Sequence, residues 1–432
     1  MPVSTRPRGR ALRHAGRAAA LTALSLGVLA ACGPSHPLSI FTDFTEFNRE
    51  IGFLFKILII LGTIVFVFVE ALLIWAIVKY RRREGQKAPE HVHGNTTLEI
   101  IWTAIPALIL VIIAVPTVRT IFKTQAKVKP GALEVQVIGH QWWWEFRYPE
   151  YGITTANELY LPLGRTVNFK LETQDVIHSF WIPQLGGKRD LIANHTNYLW
   201  YTPDSAGVNA WVGHCVEYCG ASHANMRFRA FTVSPQEFEG WVAHMRTGAA
   251  NPLQPAAPAV PAAPAATTPV QTASIVPAPA PPAAAPAAPA YAGFPRERLG
   301  RHLVPSTPVP AGIQFNAALQ GDVARGGMAF ATGRGGCIGC HAIKGVPTAV
   351  GIVGPNLSHY GSRTTLAASF YPNDARHLAL WIKNARKMKP GVIMPTLGKG
   401  EIDPQTKQPV PDVMALDDQT IADMVAYLLS LK

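Results

Sequence analysis

Two apolar runs, Ile51 to Val78 and Leu98 to Ile121, constrain this chain more than any other feature. Each is longer than the roughly 20 residues a helix needs to cross about 30 Å of hydrocarbon. Between them lies "KYRRREGQK", and a dense Lys/Arg cluster in a short loop marks the cytoplasmic side. The pattern therefore predicts a transmembrane hairpin, with the start of the mature chain and everything beyond residue 122 on the outer face. Pro106 and Pro116 in the second run predict a kink braced by a neighbouring subunit, because broken backbone bonds must be re-satisfied inside lipid. Glu70 falls within the first run, where the cost of a carboxylate in hydrocarbon predicts a protein-facing position.

The segments around this hairpin differ sharply. "MPVSTRPRGRALRHAGR" is basic and "AAALTALSLGVLA" is a short apolar stretch, the pattern of a secretory leader over 1–31. Leu29-Ala30-Ala31-Cys32 reads as a lipobox, which makes Cys32 the acylated first residue of the mature protein; the alternative is ordinary cleavage nearby with Cys32 free. The N-terminal segment and hairpin fill 32–125. From 126 to 247 short β-rich stretches such as "ALEVQVIGHQWWWEFRY" and "AFTVSP" alternate with turns, predicting an antiparallel sandwich or barrel. Residues 248–293 are Pro/Ala-rich and predict an extended tether, while 294–432 read as short helices joined by long loops. The formal charge of +12 sits partly in the leader and the basic loop. With no basic run interleaved with aromatics, nucleic acid is not an expected partner.

The five cysteines are Cys32, Cys215, Cys219, Cys337 and Cys340; each has a candidate task and none is left for a structural disulfide. "GHCVEYCGASHANM" (213–226) sets two thiols four residues apart, followed by His223 and Met226. Zinc accepts Cys and His readily, whereas a thioether suits softer copper, and two bridging thiolates can hold two copper ions. A zinc knuckle is the rival reading. The second imidazole is expected from another strand, and His178 in "VIHSFWIP" supplies it.

This C-x-E-x-C-x-x-x-H-x-x-M run with an upstream H-S-F resembles subunit II of the haem–copper cytochrome c oxidases, whose cupredoxin domain carries the dinuclear CuA centre. The resemblance implies His178, Cys215, Cys219, His223 and Met226 as side-chain ligands, with Glu217 giving its backbone carbonyl. It also implies that the Glu217 carboxylate reaches a magnesium or manganese ion shared with subunit I. In "GHQWWWEFRY" strand alternation puts Trp143 on the face opposite Trp142 and Trp144. The resemblance gives Trp142 the role of receiving electrons over the copper pair. "LEIIWTAIP" is similar to the family's second helix and makes Glu99 the mouth of a proton path, although a glutamate in a first helical turn also simply favours the dipole. His140 and His214 are read as structural.

Cys337-Ile338-Gly339-Cys340-His341 has the order that attaches c-type haem: two thioether links and a proximal imidazole. "MKPGVIMP" offers Met388 and Met394 as the distal ligand; Met394, before proline on a loop, resembles the class I cytochrome c pattern. "GPNL" with Pro355 resembles that fold too, as does the closing helix, whose Tyr427 is expected near Phe330. Lys383, Arg386, Lys387 and Lys389 form a basic cluster, read either as a solvated face or as a dock for an acidic partner.

The expected architecture is therefore multidomain: a two-helix transmembrane hairpin, an all-β cupredoxin Greek-key barrel and a small all-α cytochrome c domain, as in caa-type oxidases. The resemblance implies a proton-pumping cytochrome c oxidase of the bacterial cytoplasmic membrane. Its expected partners are subunit I with haem a and the haem–copper centre, subunit III, and a donor such as cytochrome c or a quinol–cytochrome c oxidoreductase. The tether raises the effective concentration of haem module against copper domain to about mM order. A quinol oxidase subunit would lack the copper ligands. A CuA-type nitric oxide reductase subunit and a free-standing membrane-bound carrier remain as alternatives.

Overall fold

The computed structural model describes residues 37–85, 93–125, 130–247, 291, 293–432 and a few positions between 20 and 27. Cys32, most of the leader and nearly all of the Pro/Ala tether lie outside the described residues.

Helix α1 spans Glu46–Lys79 and α2 spans Thr96–Thr124. At 1.5 Å per residue, each is about 40–50 Å long and exceeds the hydrocarbon core. Thr45 and Asn95 cap their N-termini by accepting from Asn48 N and Leu98 N. Helix α2 runs without interruption through Pro106 and Pro116. Glu70 is partly covered, whereas its helical neighbours are bare. Near its N-terminus α1 is bolted to the exported body. Thr45 Oγ1 donates to Leu185 O (2.6 Å), Asn48 Nδ2 to Pro183 O (3.2 Å), and the Glu46 carboxylate accepts from Thr202 N and Oγ1 (2.8 and 2.6 Å). Because these bonds are shielded, they fix the body's orientation to the membrane helix.

That body is two five-stranded sheets. One has the order β3-β2-β1-β5-β8, from Ile153–Ala156, Trp143–Tyr148, Leu133–His140, Val167–Thr173 and Asn197–Tyr201. The other has β4-β10-β9-β6-β7, from Glu158–Pro162, Arg227–Val233, Asn209–Cys215, His178–Trp181 and Arg189–Leu191. The sheets are mixed rather than antiparallel throughout: β1 pairs parallel with β5 and β4 with β10. In both cases other strands lie between the partners in sequence, which gives the long crossover that parallel pairing requires. Trp144, Phe146, Phe169, Phe180 and Phe228 are fully buried between the sheets. Helix α3 (Pro235–Arg246) closes the domain, with a Ser234/Glu237 capping box at its start.

The C-terminal module packs α4 (Val323–Ala331), α5 (Ala375–Lys383), the one-turn α6 (Ala385–Met388) and α7 (Asp418–Ser430) around a second core. Tyr427 and Phe330 meet with ring centroids 6.0 Å apart. Phe294 and Leu303, at the start of this module in sequence, join the β-sandwich core.

Candidate copper centre and haem cavity

Antiparallel pairing of β6 with β9 sets Phe180 opposite Cys215, so His178 at the start of β6 lies beside the end of β9. The loop after Cys215 turns back through Cys219 and a 3₁₀ turn at His223–Asn225. It closes where Cys215 N bonds to Met226 O (3.0 Å). Five side chains from two strands and one loop thus converge. Cys215 Sγ is 3.7 Å from Cys219 Sγ and 3.7 Å from His178 Nδ1; Cys219 Sγ is 3.5 Å from His223 Nδ1 and 3.8 Å from Met226 Sδ. Cys215 Sγ also points at Glu217 O (3.3 Å). His178, Cys215, Cys219 and Met226 are buried. Gly139 makes the space: a Cβ there would lie 2.6 Å from His178 Cδ2.

The donor set fits a copper pair. The two sulfurs are free thiols, well beyond the ~2.05 Å of a disulfide. The contacts with Cys219 and His178 hold the Cys215 thiol well below the ordinary thiol range, while the neighbouring sulfur and burial push Cys219 up. Two adjacent sulfurs cannot both ionise unaided; a cationic cluster is what lets both become thiolates. His178 Nε2 donates to Asp175 Oδ1 (2.8 Å), leaving Nδ1 aimed at the sulfurs. This is the outer hydrogen bond that orients ligating imidazoles.

Trp142 sits in the turn before β2, not in the strand, so the expected alternation holds only for Trp143 and Trp144. Trp144 is in the core against Phe180 and Phe228. Trp143 stacks on His140 at 4.1 Å, and His140 Nε2 in turn meets the Glu145 carboxylate (2.9 Å). Trp142 Nε1 donates to Cys219 O (2.9 Å), as does Gln141 Nε2 (2.8 Å). His214 is partly buried, and burial next to Arg227 pulls it down to about 4.

Trp142 and Trp143 also form part of the wall of an apolar cavity of about 270 Å³ that includes Cys337, Cys340, His341 and Met394. His341 Nδ1 donates to Pro355 O (2.8 Å), which leaves Nε2 as the free ligand atom. Gly354 keeps that imidazole in place, since a Cβ there would lie 2.5 Å from His341 Cε1. Two cysteines, a free imidazole nitrogen and a thioether on an apolar cavity fit a covalently held haem. Met388 is instead buried in the module's core.

The basic cluster differs from expectation. Lys383 pairs with Asp418 (2.7 Å), Arg386 with Asp403 (2.7 Å), and Lys387 donates to Gly312 O (3.2 Å). Lys389 is buried and donates to Trp142 O (2.9 Å) and Ala367 O (3.3 Å); burial lowers it to about 7. These cations are bonded within the chain rather than forming a free solvated face. Glu99 lies in the first turn of α2 and is exposed, roughly 40 Å along that helix from the exported body. The Glu217 carboxylate accepts from Tyr218 N (3.2 Å). Asp175 and Gln141 escaped the sequence reading, as did the burial of Lys389. For Asp175 the signal was its place three residues before His178.

Residues 45–120 match the family "Cytochrome C oxidase subunit II, transmembrane domain", 153–231 its periplasmic domain, and 323–432 the family "Cytochrome c". "Cytochrome c oxidase subunit 2" of Alkalihalophilus pseudofirmus is 31% identical over 380 residues, 87% of this chain and 85% of that protein. The Bacillus subtilis protein of the same name is 43% identical over 187 residues, 40% of this chain and 52% of the relative. "Quinol oxidase subunit 2" of Bacillus spizizenii is 35% identical over 173 residues, 38% of this chain and 53% of the relative. The chain belongs to the cytochrome c oxidase subunit II family. It is a subunit II with two membrane helices, an external domain and a cytochrome c domain at its C-terminal end. Membership implies CuA copper, haem c and partnership with subunit I.

Proposed function

We propose that this chain is the electron-accepting subunit of a caa-type cytochrome c oxidase in a bacterial cytoplasmic membrane, with both redox modules on the outer side. His178, Cys215, Cys219, His223 and Met226, with the carbonyl of Glu217, would hold the copper pair. Cys337 and Cys340 would carry the haem, and His341 and Met394 would offer their imidazole and thioether to its iron. When bound, these groups supply a one-electron relay from a donor such as cytochrome c or a quinol–cytochrome c oxidoreductase to haem a of subunit I, where oxygen reduction is coupled to proton pumping. Asp175 and Pro355 orient the two key imidazoles, and burial excludes water from the sulfurs, so little reorganises as charge moves. In this reading Trp142 receives electrons on the copper side, and Glu217 reaches a magnesium or manganese ion at the subunit I interface. Glu99 stands at the mouth of a proton path, Cys32 carries the lipid anchor and subunit III completes the assembly.

One observation carries the reading: Trp142 belongs to both sites, lining the cavity of Cys337, Cys340 and His341 while its indole N–H bonds to the Cys219 carbonyl. The test is rapid-mixing spectroscopy on the oxidase isolated in mild detergent. Haem c reduced by donor should reoxidise promptly in the parent enzyme and remain reduced when Cys215 and Cys219 are both serine. Equal reoxidation in the two would defeat the reading, as would a chain that elutes without a haem-bearing partner.

A further inference from the structure

In a sandwich whose outer faces meet water, strands alternate buried and exposed residues. β4 does not: all five of its residues, Glu158 to Pro162, are buried, and β10 is buried from Phe228 to Val233. Phe228 points between the sheets, against Phe146 and Phe180. By alternation Arg229 and Phe231 face outward, level with Glu158 and Tyr160 on β4. Helix α3 covers part of this outer face, with Trp241 stacked on Tyr160 (4.6 Å, 16°), and the C-terminal module covers more of it. Phe294 stacks on Phe231 (4.8 Å, 18°), and its N–H donates to the Tyr160 hydroxyl (2.9 Å).

Glu158 is the polar centre of that contact; burial raises its carboxyl pKa, against which the Thr364 hydrogen bonds and the Arg363 and Arg229 guanidinium groups act. One carboxylate oxygen accepts from both Thr364 N and Thr364 Oγ1 at 2.6 Å. Arg229, 3% exposed, stands opposite Glu158 in the strand register, and its Nε and Nη1 make no hydrogen bond among the described residues. Arg363 of the haem module lies within electrostatic reach on the other side. A carboxylate on a β-strand has no reason to be buried in the copper domain alone. Here it is shared between guanidinium groups from two modules, and removing one member of such a buried set leaves uncompensated charge.

We propose that the outer face of β4 and β10 is a built seat for residues 293–432 of the same chain, and that Glu158, between Arg229 and Arg363, is the latch that keys the module onto it. This rests on the reading of 294–432 as the haem module. The tether then supplies proximity while the latch supplies one orientation, the one in which Trp142 and Trp143 close the haem cavity.

The amides of Thr364 and Phe294 both bond across the seam, and Phe294 does so away from Glu158. Hydrogen–deuterium exchange of the detergent-solubilised, metal-loaded full chain therefore reports undocking. Glu158→Ala should speed exchange at both amides about a hundredfold or more. Glu158→Gln, which keeps the acceptor and loses the charge, should give a smaller rise at both. Faster exchange at Thr364 alone, or no change, would overturn the latch. So would loss of haem or copper in the alanine variant, because Glu158 would then be holding a module's own fold. Absence of copper and haem from the parent chain would sink the functional reading while leaving the exchange result to stand.

Discussion

Replacing Asp175 by alanine separates the orientation of a ligand from the ligand itself. Its carboxylate accepts from His178 Nε2 (2.8 Å), Gln141 N (2.6 Å) and Val176 N (2.7 Å). One side chain thus ties the turn before Trp142 to the strand that carries His178. The Asp175 side chain is 29% exposed, so the two backbone bonds are taken at the low end for a charged acceptor, about 1.5 kcal/mol each. The apo domain should lose roughly 3 kcal/mol of stability. Freed of its partner, the His178 ring no longer holds Nδ1 toward the sulfurs, and copper affinity should fall by about 10–100-fold. Asp175→Asn keeps an acceptor oxygen and should lose less of both. Chelator competition for copper and thermal unfolding of the apo form, run on the parent and both variants, give the two quantities independently. Copper affinity unchanged within about twofold in the alanine variant, at equal folding, would refute the orienting role.

Met394→Ala should leave the haem covalently attached but convert its optical spectrum from low-spin to high-spin, whereas Met388→Leu should keep the low-spin spectrum and cost under about 1.5 kcal/mol of stability; the reverse assignment would exchange these spectra. Across the seam His359, buried in the haem module, lies 4.9 Å from His244 of α3 and near Arg363, and burial holds it down to about 4. The exposed form regains an ordinary value near 6.5, so it binds more protons than the docked form between the two values. Stability should be flat above pH 6.5 and fall by up to about 3 kcal/mol toward pH 4. Calorimetry of the parent against His359→Gln checks this, and the variant should lose the His359 share of the slope while His214 and His244 keep theirs.

The proposed copper ligands were legible because four of the five side chains lie between Cys215 and Met226, and soft sulfur with imidazole narrows the metal whatever the fold. His178 was legible only from the need for a second imidazole and then from the resemblance, since nothing local tells a strand-start histidine that a partner strand will end beside it. The roles of Trp142 and Trp143 were harder to see. Alternation was applied one residue too early, because the turn before β2 obeys no period of two. The mixed sheets were likewise hidden, as parallel pairing is a property of crossovers rather than of any strand's own pattern. Nothing in the sequence marks Glu158 as covered by the second module, and Lys389 reads as one of a basic cluster although the copper domain covers it; a burial produced by residues more than 200 positions away leaves no mark nearby. What β10 did carry was a faint sign, "RFRAFTV", with apolar residues on both faces.

The most direct measurement is metal content and electron-paramagnetic resonance of the full chain with its cofactors loaded. Two coppers and one covalently bound haem per chain, with a single unpaired electron spread equally over both coppers, is the predicted result. Zinc in place of copper, or one copper carrying a localised electron, would contradict the account.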